Sequence, residues 1–374
     1  MKVVILHDWL TGFRGGERVL EAICEMFPEA PIYTLIHQKD STSPTIERRE
    51  IVTSFLDRIP GIYQNYRKFL PLMPMAASSM KIRHEADLVI SSSHCVIKGI
   101  KKPEGSVHIS YVHSPMRYIY DQFDNYFGHA SFPIRMAAHL CRPYLQWWDR
   151  RSNKNVDRML ANSNFVRERI KTYYNLDVEV LHPFVDLKDF PLTSTNDSNK
   201  KAAVPEKENF YLMVTAFAPN KKVDLAIEAF NQNKLPLKII GSGSQEDIKR
   251  LKDLSKSNIE FLGFLSREEV VAHYHKAKAF IFPGVEDFGI TPLEALAAGT
   301  PVIGYGKAGL LETQTKKTGN LFYEPSADSL NDAISNISCI NQEDLISRAQ
   351  EFSKERFQVS LNIIIKTLID SRSP

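Results

Sequence analysis

Short apolar runs alternate with amphipathic helical patterns along this chain, and that alternation constrains the fold more than any other feature. Strands are expected at KVVIL (2–6), PIYTLI (31–36), ADLVIS (86–91), VHISYV (107–112) and RMLA (158–161). Between the first two, GERVLEAICEMF sets Val19, Leu20, Ile23, Met26 and Phe27 on one helical face. Such alternation predicts parallel sheets covered by helices on both faces. The polar stretch TSTNDSNKKAAVPEKEN (193–209) interrupts it and reads as a linker. The pattern then restarts as FYLMVTAF, VDLAIEAFNQN, LKIIG, SQEDIKRLKDLSK, IEFLGF, REEVVAHYHKAK and AFIFP, followed by GNLFYE and further helix. The last helical stretch, from about Asp344 to Ser371, is longer than the second domain requires. With 374 residues the chain exceeds what one core usually supports. The expected plan is α/β: a Rossmann-like domain over 1–192, the linker 193–209, a second Rossmann-like domain over 210–355, and a C-terminal helix, 356–374, crossing back to the first domain. Two such domains would face a central cleft, with ligands beside the strand C-termini.

Charge and cysteine content narrow the function. A net charge of +3 does not favour nucleic-acid binding across the surface. Cys24, Cys95, Cys141 and Cys339 form no metal spacing and read as reduced, mostly buried thiols of a cytoplasmic protein. MKVVILHDWL is too short an apolar run for a signal peptide, and no run approaches the roughly 18 residues that span a bilayer. A cytoplasmic protein, soluble or peripheral on the inner membrane, is expected.

The stretch FPGVEDFGITPLEALAAGTPVIGYG (282–306) carries the chemistry. Its helix has readable ends: Thr291 suits the N-cap, Pro292 the first turn and Gly299 the position after the C-cap. Glu294 then completes a Thr-x-x-Glu capping box. Glu286 instead sits in a loop at a strand's C-terminal end, beside Phe288-Gly289, where backbone can approach a ligand. The following helix N-terminus offers free N–H groups to an anion. A carboxylate beside an anion site suits sugar hydroxyls rather than phosphate, so the ligand expected is a nucleotide sugar.

This stretch resembles the Glu-x7-Glu signature of retaining GT-B glycosyltransferases, notably glycosyltransferase family 4. HDWLTGFRGGERVLE, YVHSPMRYIYD, NSNFVRERIKTYY, PNKKVDLAIEAFN, IIGSGS and FLGFLSREEV each resemble a family segment, in order. Bacterial GDP-mannose-dependent mannosyltransferases of O-antigen and capsule assembly are the members most similar. The resemblance implies the GT-B fold, an acceptor-side first domain and a nucleotide-sugar-binding second domain. It implies that Glu286 contacts donor-sugar hydroxyls near the reacting carbon and that Glu294 binds the ribose. Backbone N–H groups around Phe288, Gly289 and Ile290 would hold the diphosphate. Lys221 matches the family's diphosphate lysine, which neutralises charge growing on the leaving group; its ordinary alternative is a solvated surface lysine. The Arg that many members carry upstream is absent, with Thr215 and Ala216 in its place, and Lys222 or Arg14 could substitute.

The same resemblance makes Gly15-Gly16 a glycine loop facing the diphosphate, sets Gly241 and Gly243 beside the nucleotide, and puts Gly263-Phe264 near the base. His113 would hydrogen-bond the donor sugar near its C6 hydroxyl, and Arg117 would touch the acceptor or a phosphate, as Arg14 could. The leaving diphosphate oxygen would take the acceptor proton in a front-face displacement, leaving the protein to position the reactants and stabilise charge. No Asp-x-Asp motif is convincing, Asp177-Val-Glu179 reads as strand, and neither metal nor cofactor is expected.

Two segments, 59–84 and 131–148, interleave basic residues with aromatics and Met. Two readings stay open: contact with an anionic membrane, serving a lipid-linked oligosaccharide acceptor, or a helical part of the first domain's core and cleft wall. Two other functional readings stay open as well. One is a UDP-sugar-dependent transferase of the same fold; the other is a silent nucleotide-sugar-binding subunit of a polysaccharide-assembly complex.

Overall fold

A computed structural model describes residues 1–128, 130–191, 206–337 and 340–371. Most of the expected linker, and Cys339, lie outside the described residues. The chain divides into two compact units, Met1–His182 with Gln358–Pro374, and Pro183–Phe357.

The first unit is built on seven strands: β1 (Val3–His7), β2 (Ile32–Thr34), β3 (Ile51–Thr53), β4 (Leu88–Ser93), β5 (Val107–Val112), β6 (Arg158–Ala161) and β7 (Glu179–Val180). All pair in parallel, in the order β3-β2-β1-β4-β5-β6-β7. Every residue of β1, β4 and β5 is buried. That explains why these strands read as apolar runs rather than alternating ones: helices cover both faces. The exception is informative. β4 changes from Leu88-Val89-Ile90 to Ser91-Ser92-Ser93 at its C-terminal half, so the sheet's C-terminal edge is polar while its centre is not.

The second unit repeats the plan with β8 (Tyr211–Val214), β9 (Leu237–Ile240), β10 (Ile259–Gly263), β11 (Ala279–Phe282), β12 (Val302–Tyr305) and β13 (Gly319–Phe322). These too are all parallel, in the order β10-β9-β8-β11-β12-β13. Each sheet has a switch point, between β1 and β4 and between β8 and β11, where successive crossovers leave in opposite directions and open a crevice at the strand C-termini.

β3 and β12 are absent from the sequence expectations, β3 having only three residues, too few for a readable period, while the strand read at Asp177-Val-Glu179 is realised as the two-residue β7. The long C-terminal stretch is two helices, Gln342–Gln350 and Lys354–Asp370, rather than one. They separate where Val185 N–H donates to Phe352 O at 2.9 Å, drawing the chain out of helical geometry. Past that break, Gln358 Nε2 donates to Ala22 O, 3.2 Å away in the first unit. Cys24 and Cys95 are buried free thiols and Cys141 is half-buried. Among the described residues no helix is long and apolar enough to cross a membrane.

One buried histidine gives the first unit a pH signature. His108, in β5, is fully buried, with Nδ1 2.8 Å from Asn155 O and Nε2 2.8 Å from Ser91 Oγ. Burial pushes its imidazole down from 6.5 to about 4, opposed by the Asn155 carbonyl. The unfolded chain therefore binds the proton first, and stability is lost as pH falls from 6.5 towards 4. Thermal melting across that window should show a falling Tm, and His108→Gln should flatten part of the slope.

Candidate functional site

The sequence-predicted residues gather at the C-terminal edges of the two sheets. In the second unit, Lys221 closes a short 3-10 turn, Pro219–Lys221, after β8, and Glu286 lies in the loop after β11. β8 and β11 are neighbours at the switch point, and there Lys221 Nζ forms an ion pair with Glu286 Oε1, both side chains about three-quarters covered. Tight backbone packing sets the geometry. Val285 N–H donates to Asn220 O at 3.1 Å, and a Cβ on Gly284 would lie 2.7 Å from that same oxygen. On the other side of the loop, Gly309 N–H donates to Glu286 O at 3.2 Å, and a Cβ there would meet Phe288 Cα at 2.3 Å. Lys222 adopts a left-handed conformation, φ 52°, which strains a non-glycine residue by roughly 1–2 kcal/mol.

The helix after this loop corrects an expectation. It runs Ile290–Ala297 with Gly289, at φ 90°, as its N-cap, so it begins one turn position before Thr291. Glu294 is therefore beyond the capping position and forms no capping box. Its carboxylate, 6% exposed, accepts from Tyr274 Oη at 3.1 Å and from Arg267 Nη1 at 2.8 Å. Arg267 in turn holds Asp189 through Nε and Nη2, 3.1 and 2.9 Å away, and lies over the Phe190 ring. The C-terminal expectation holds: Gly299 at φ 69° and Thr300 return N–H groups to Leu296 O and Ala295 O, a Schellman closure.

Phe288 and the glycines divide by physical cause. The Phe288 side chain is buried against Phe352, leaving only its backbone for a ligand. A Cβ on Gly241 would lie 1.8 Å from Thr215 O, and one on Gly243 2.7 Å from Phe217 Cβ, so close packing against the loop after β8 demands both glycines. Gly263 is demanded by its φ of 72° alone, and the neighbouring Phe264 is 89% exposed. Ile290 is half-buried at the first turn of its helix.

In the first unit, Gly15 and Gly16 are the first residues of the helix Gly15–Met26 rather than a loop before it. Arg14 is its N-cap, and Arg14 N–H donates to Glu17 Oε2 at 2.9 Å. The capping glutamate expected at 294 is thus realised at 17. A Cβ on Gly16 would lie 3.8 Å from His113 Nε2 and 3.9 Å from His7 Cε1, which places the start of this helix beside both imidazoles. Arg117 is half-buried four residues beyond His113.

His113 follows β5 directly and ends a chain of polar groups that the sequence reading missed. His113 Nε2 is 2.8 Å from Ser92 Oγ, which is 3.2 Å from His7 Nδ1; His7 Nε2 lies 3.8 Å from Glu17 Oε1. Burial raises the cost of charge on Glu17, but His7 and the backbone N–H hold its carboxyl below the usual range. At 3.8 Å His7 Nε2 is beyond hydrogen-bond reach of Glu17, but the carboxylate's charge favours a proton on the ring nitrogen that faces it, and the rest of the order follows from that. His7 carries its proton on Nε2, Ser92 O–H donates to His7 Nδ1, and His113 Nε2–H donates to Ser92. His113 Nδ1 is then the lone-pair nitrogen. Burial pushes the His113 imidazole down to about 3, with His94 and His7 adding to it, so the ring is neutral at pH 7. Beneath this row Asp8, fully buried, accepts from four backbone N–H groups: His94 and Cys95 on Oδ2 at 2.7 and 2.9 Å, Val96 and Ile97 on Oδ1 at 2.8 Å each. The readable signals were His7-Asp8 at the end of β1 and the run SSSH at the end of β4. Among the described residues no group of three or more His, Cys, Asp or Glu is placed to hold a metal.

Two family models divide the chain between them: Glycosyltransferase Family 4 over residues 13–189 and Glycosyl transferases group 1 over 194–355. The fold is shared with sucrose-phosphate synthase from Thermosynechococcus elongatus, at a TM-score of 0.73 and 17% identity, covering 99% of this chain and 100% of that one. Over each half the chain is similar to a glycosyltransferase family model, and its fold is that of the synthase. O-antigen chain mannosyltransferase RfbU of Salmonella typhimurium is 31% identical, covering 56% of this chain and 58% of its own length. Alpha-1,3/1,6-mannosyltransferase ALG2 of Saccharomyces cerevisiae is 28% identical, covering 42% and 40%. This chain spans about half the length of the curated relatives it matches.

The tautomer assignment is directly measurable. In 15N-detected spectra near pH 7, His113 should appear as a neutral ring protonated on Nε2, and Ser92→Ala should shift it towards a mixture of tautomers. A wild-type ring protonated on Nδ1 would reverse the donor order derived above.

Proposed function

We propose that this protein is a retaining, metal-independent glycosyltransferase that moves mannose from GDP-mannose to a lipid-linked oligosaccharide in surface-polysaccharide biosynthesis. The observation that carries the reading is the Lys221–Glu286 ion pair at the switch point of the second sheet, beside the N-terminus of the helix Ile290–Ala297. The pairing keeps the ammonium and the carboxylate poised in the absence of ligand. With donor bound, Lys221 turns to the diphosphate, where it offsets the negative charge that grows as the glycosidic bond breaks. Glu286, released from Lys221, accepts from hydroxyls of the sugar. Backbone N–H groups at Phe288, Gly289 and Ile290 hold diphosphate oxygens, in the way helix N-termini bind anions. Lys222 or Arg14 supplies the positive charge that Thr215 and Ala216 do not.

Glu294 keeps an oxygen on Arg267 and uses its remaining lone pairs for ribose hydroxyls. Gly241, Gly243, Gly263 and Phe264 form the nucleoside side of the same sheet edge. His113 is the neutral hydrogen-bonding partner of a sugar hydroxyl, and Arg117 serves the acceptor. The family models support sugar transfer as the activity, and the names of the two mannosyltransferase relatives favour mannose as the sugar.

Calorimetric titration with GDP, UDP and ADP, without added metal, tests the donor. GDP should bind selectively, and Lys221→Ala should weaken it about tenfold or more, the size expected for losing a charge-assisted contact. Glu294→Gln is the informative ribose variant, because Glu294→Ala would also strip Arg267 of one of its two carboxylate partners; a melting curve must show that the Gln variant stays folded. Selective UDP binding would overturn the donor, and no binding of any nucleotide would overturn the activity.

A further inference from the structure

The helix Phe132–Ser152 is apolar where it has nothing to pack against. Its base is anchored in the first unit's core. Leu145 and Trp148 are buried, a Cβ on Gly99 would lie 2.3 Å from Trp148, and Trp148 Nε1 donates to Ser78 Oγ at 3.3 Å. Asp149 is buried too, ion-paired to Lys98 and accepting from Tyr120 and Tyr174 hydroxyls at 3.1 and 2.8 Å. Towards its N-terminus the helix leaves this support. From Phe132 to Leu140 every residue except the half-buried Ala138 is exposed, yet the run is FPIRMAAHL. Apart from Arg135 and His139 that run is apolar, and an exposed apolar surface of this kind marks an interaction site rather than a face meant for water. The core reading of segment 131–148 therefore holds on one face from Cys141 onward, where Cys141, Leu145 and Trp148 pack on the core, and fails for residues 131–140.

The order of residue types along the axis says what surrounds it. At the tip, Phe132, Ile134, Met136 and Leu140 are 74, 56, 46 and 73% exposed. One turn nearer the base come Tyr144 and Trp147, 43 and 54% exposed, their rings 6.4 Å apart. At the base, exposed Arg150, Arg151 and Lys154 follow, with the Arg151 guanidinium over the Trp147 ring. Apolar, then amphipathic aromatic, then cationic is the order of acyl chain, headgroup boundary and anionic phosphate in a bilayer. Arg135 near the tip is long enough to run back towards the headgroups. No acidic residue occurs between Phe132 and Trp148, and Asp149 is neutralised inside the protein.

We propose that this helix is a monotopic membrane anchor, its N-terminal half inserted into the outer part of an anionic lipid leaflet and its base cations on the phosphates. At roughly 1.5 Å per residue, the exposed turns reach about as deep as interfacial helices do and far short of a span. The proposal stands on this surface alone, so it survives or fails independently of the nucleotide assignment.

The test is co-sedimentation of the full chain with phosphatidylcholine vesicles, with and without phosphatidylglycerol. Binding should require the anionic lipid and weaken with added salt. Phe132→Gln with Leu140→Gln should weaken it about tenfold or more, given the apolar area withdrawn. Both side chains are in water, so melting temperature and nucleotide affinity should stay at the wild-type values. Arg150→Glu with Arg151→Glu should abolish the preference for phosphatidylglycerol. Equal vesicle binding by the Gln variant and the wild type would overturn the proposal. So would absence of vesicle binding together with self-association in sedimentation velocity that the Gln variant abolishes, which would assign the surface to a second copy of this chain.

Discussion

A single buried carboxylate organises the functional edge of the first unit. Asp8 leaves the end of β1 and collects four consecutive N–H groups from the turn that follows β4. Without it, four backbone donors would be buried with no partner, each a loss of about 1–3 kcal/mol. With it, the ends of two adjacent strands are tied together at fixed register, and His7 is set opposite Ser92. The histidine row above depends on that register. A slip of one residue would turn His7 and Ser92 to opposite faces and break the link to His113.

The second unit reaches a comparable end by different means. Its switch point is held by glycines that let backbones touch, with Gly284 against Asn220 and Gly309 against Phe288. Charge is then added at the surface of that packed backbone, in Lys221 with Glu286 and in Arg267 with Glu294. The two glutamates thus differ in setting. Glu286 has one cationic partner and partial access to water. Glu294 is buried, with a guanidinium and a phenol already attached. Charge on Glu286 is easily redirected, whereas Glu294 is a fixed acceptor.

Much of this was legible in the residues. The apolar runs located the central strands because burial on both faces leaves no alternation to misread, and VDLAIEAFNQN matches its helix Val223–Asn233 residue for residue. The chemistry of 282–306 pointed to the second unit's candidate site because strand, glycine loop and helix are contiguous there. What could not be read was assembled from distance. Glu17, His7, Ser92 and His113 come from three strand ends and a helix start, and no local pattern links them. The misplaced cap has a local cause: Thr291 is a better capping residue than Gly289, but the left-handed φ of Gly289 lets the helix begin earlier. Segments 59–84 and 131–148 look alike in composition and have different fates. Met73, Ala76, Ala77 and Met80 of the first are buried core, while most of the second projects into solvent.

The glycine packing around Glu286 also bears on how such a site diversifies. With Gly284 and Gly309 pressed against neighbouring backbone, any side chain at either position would displace the loop that carries the carboxylate. Random substitution there removes the loop's geometry rather than retuning it. Phe264 is under no such restraint: it is almost wholly in solvent beside a glycine that clashes with nothing. Variation accumulates where packing is silent, so descendants of this chain would be expected to change the end of β10 long before they could alter the acidic loop.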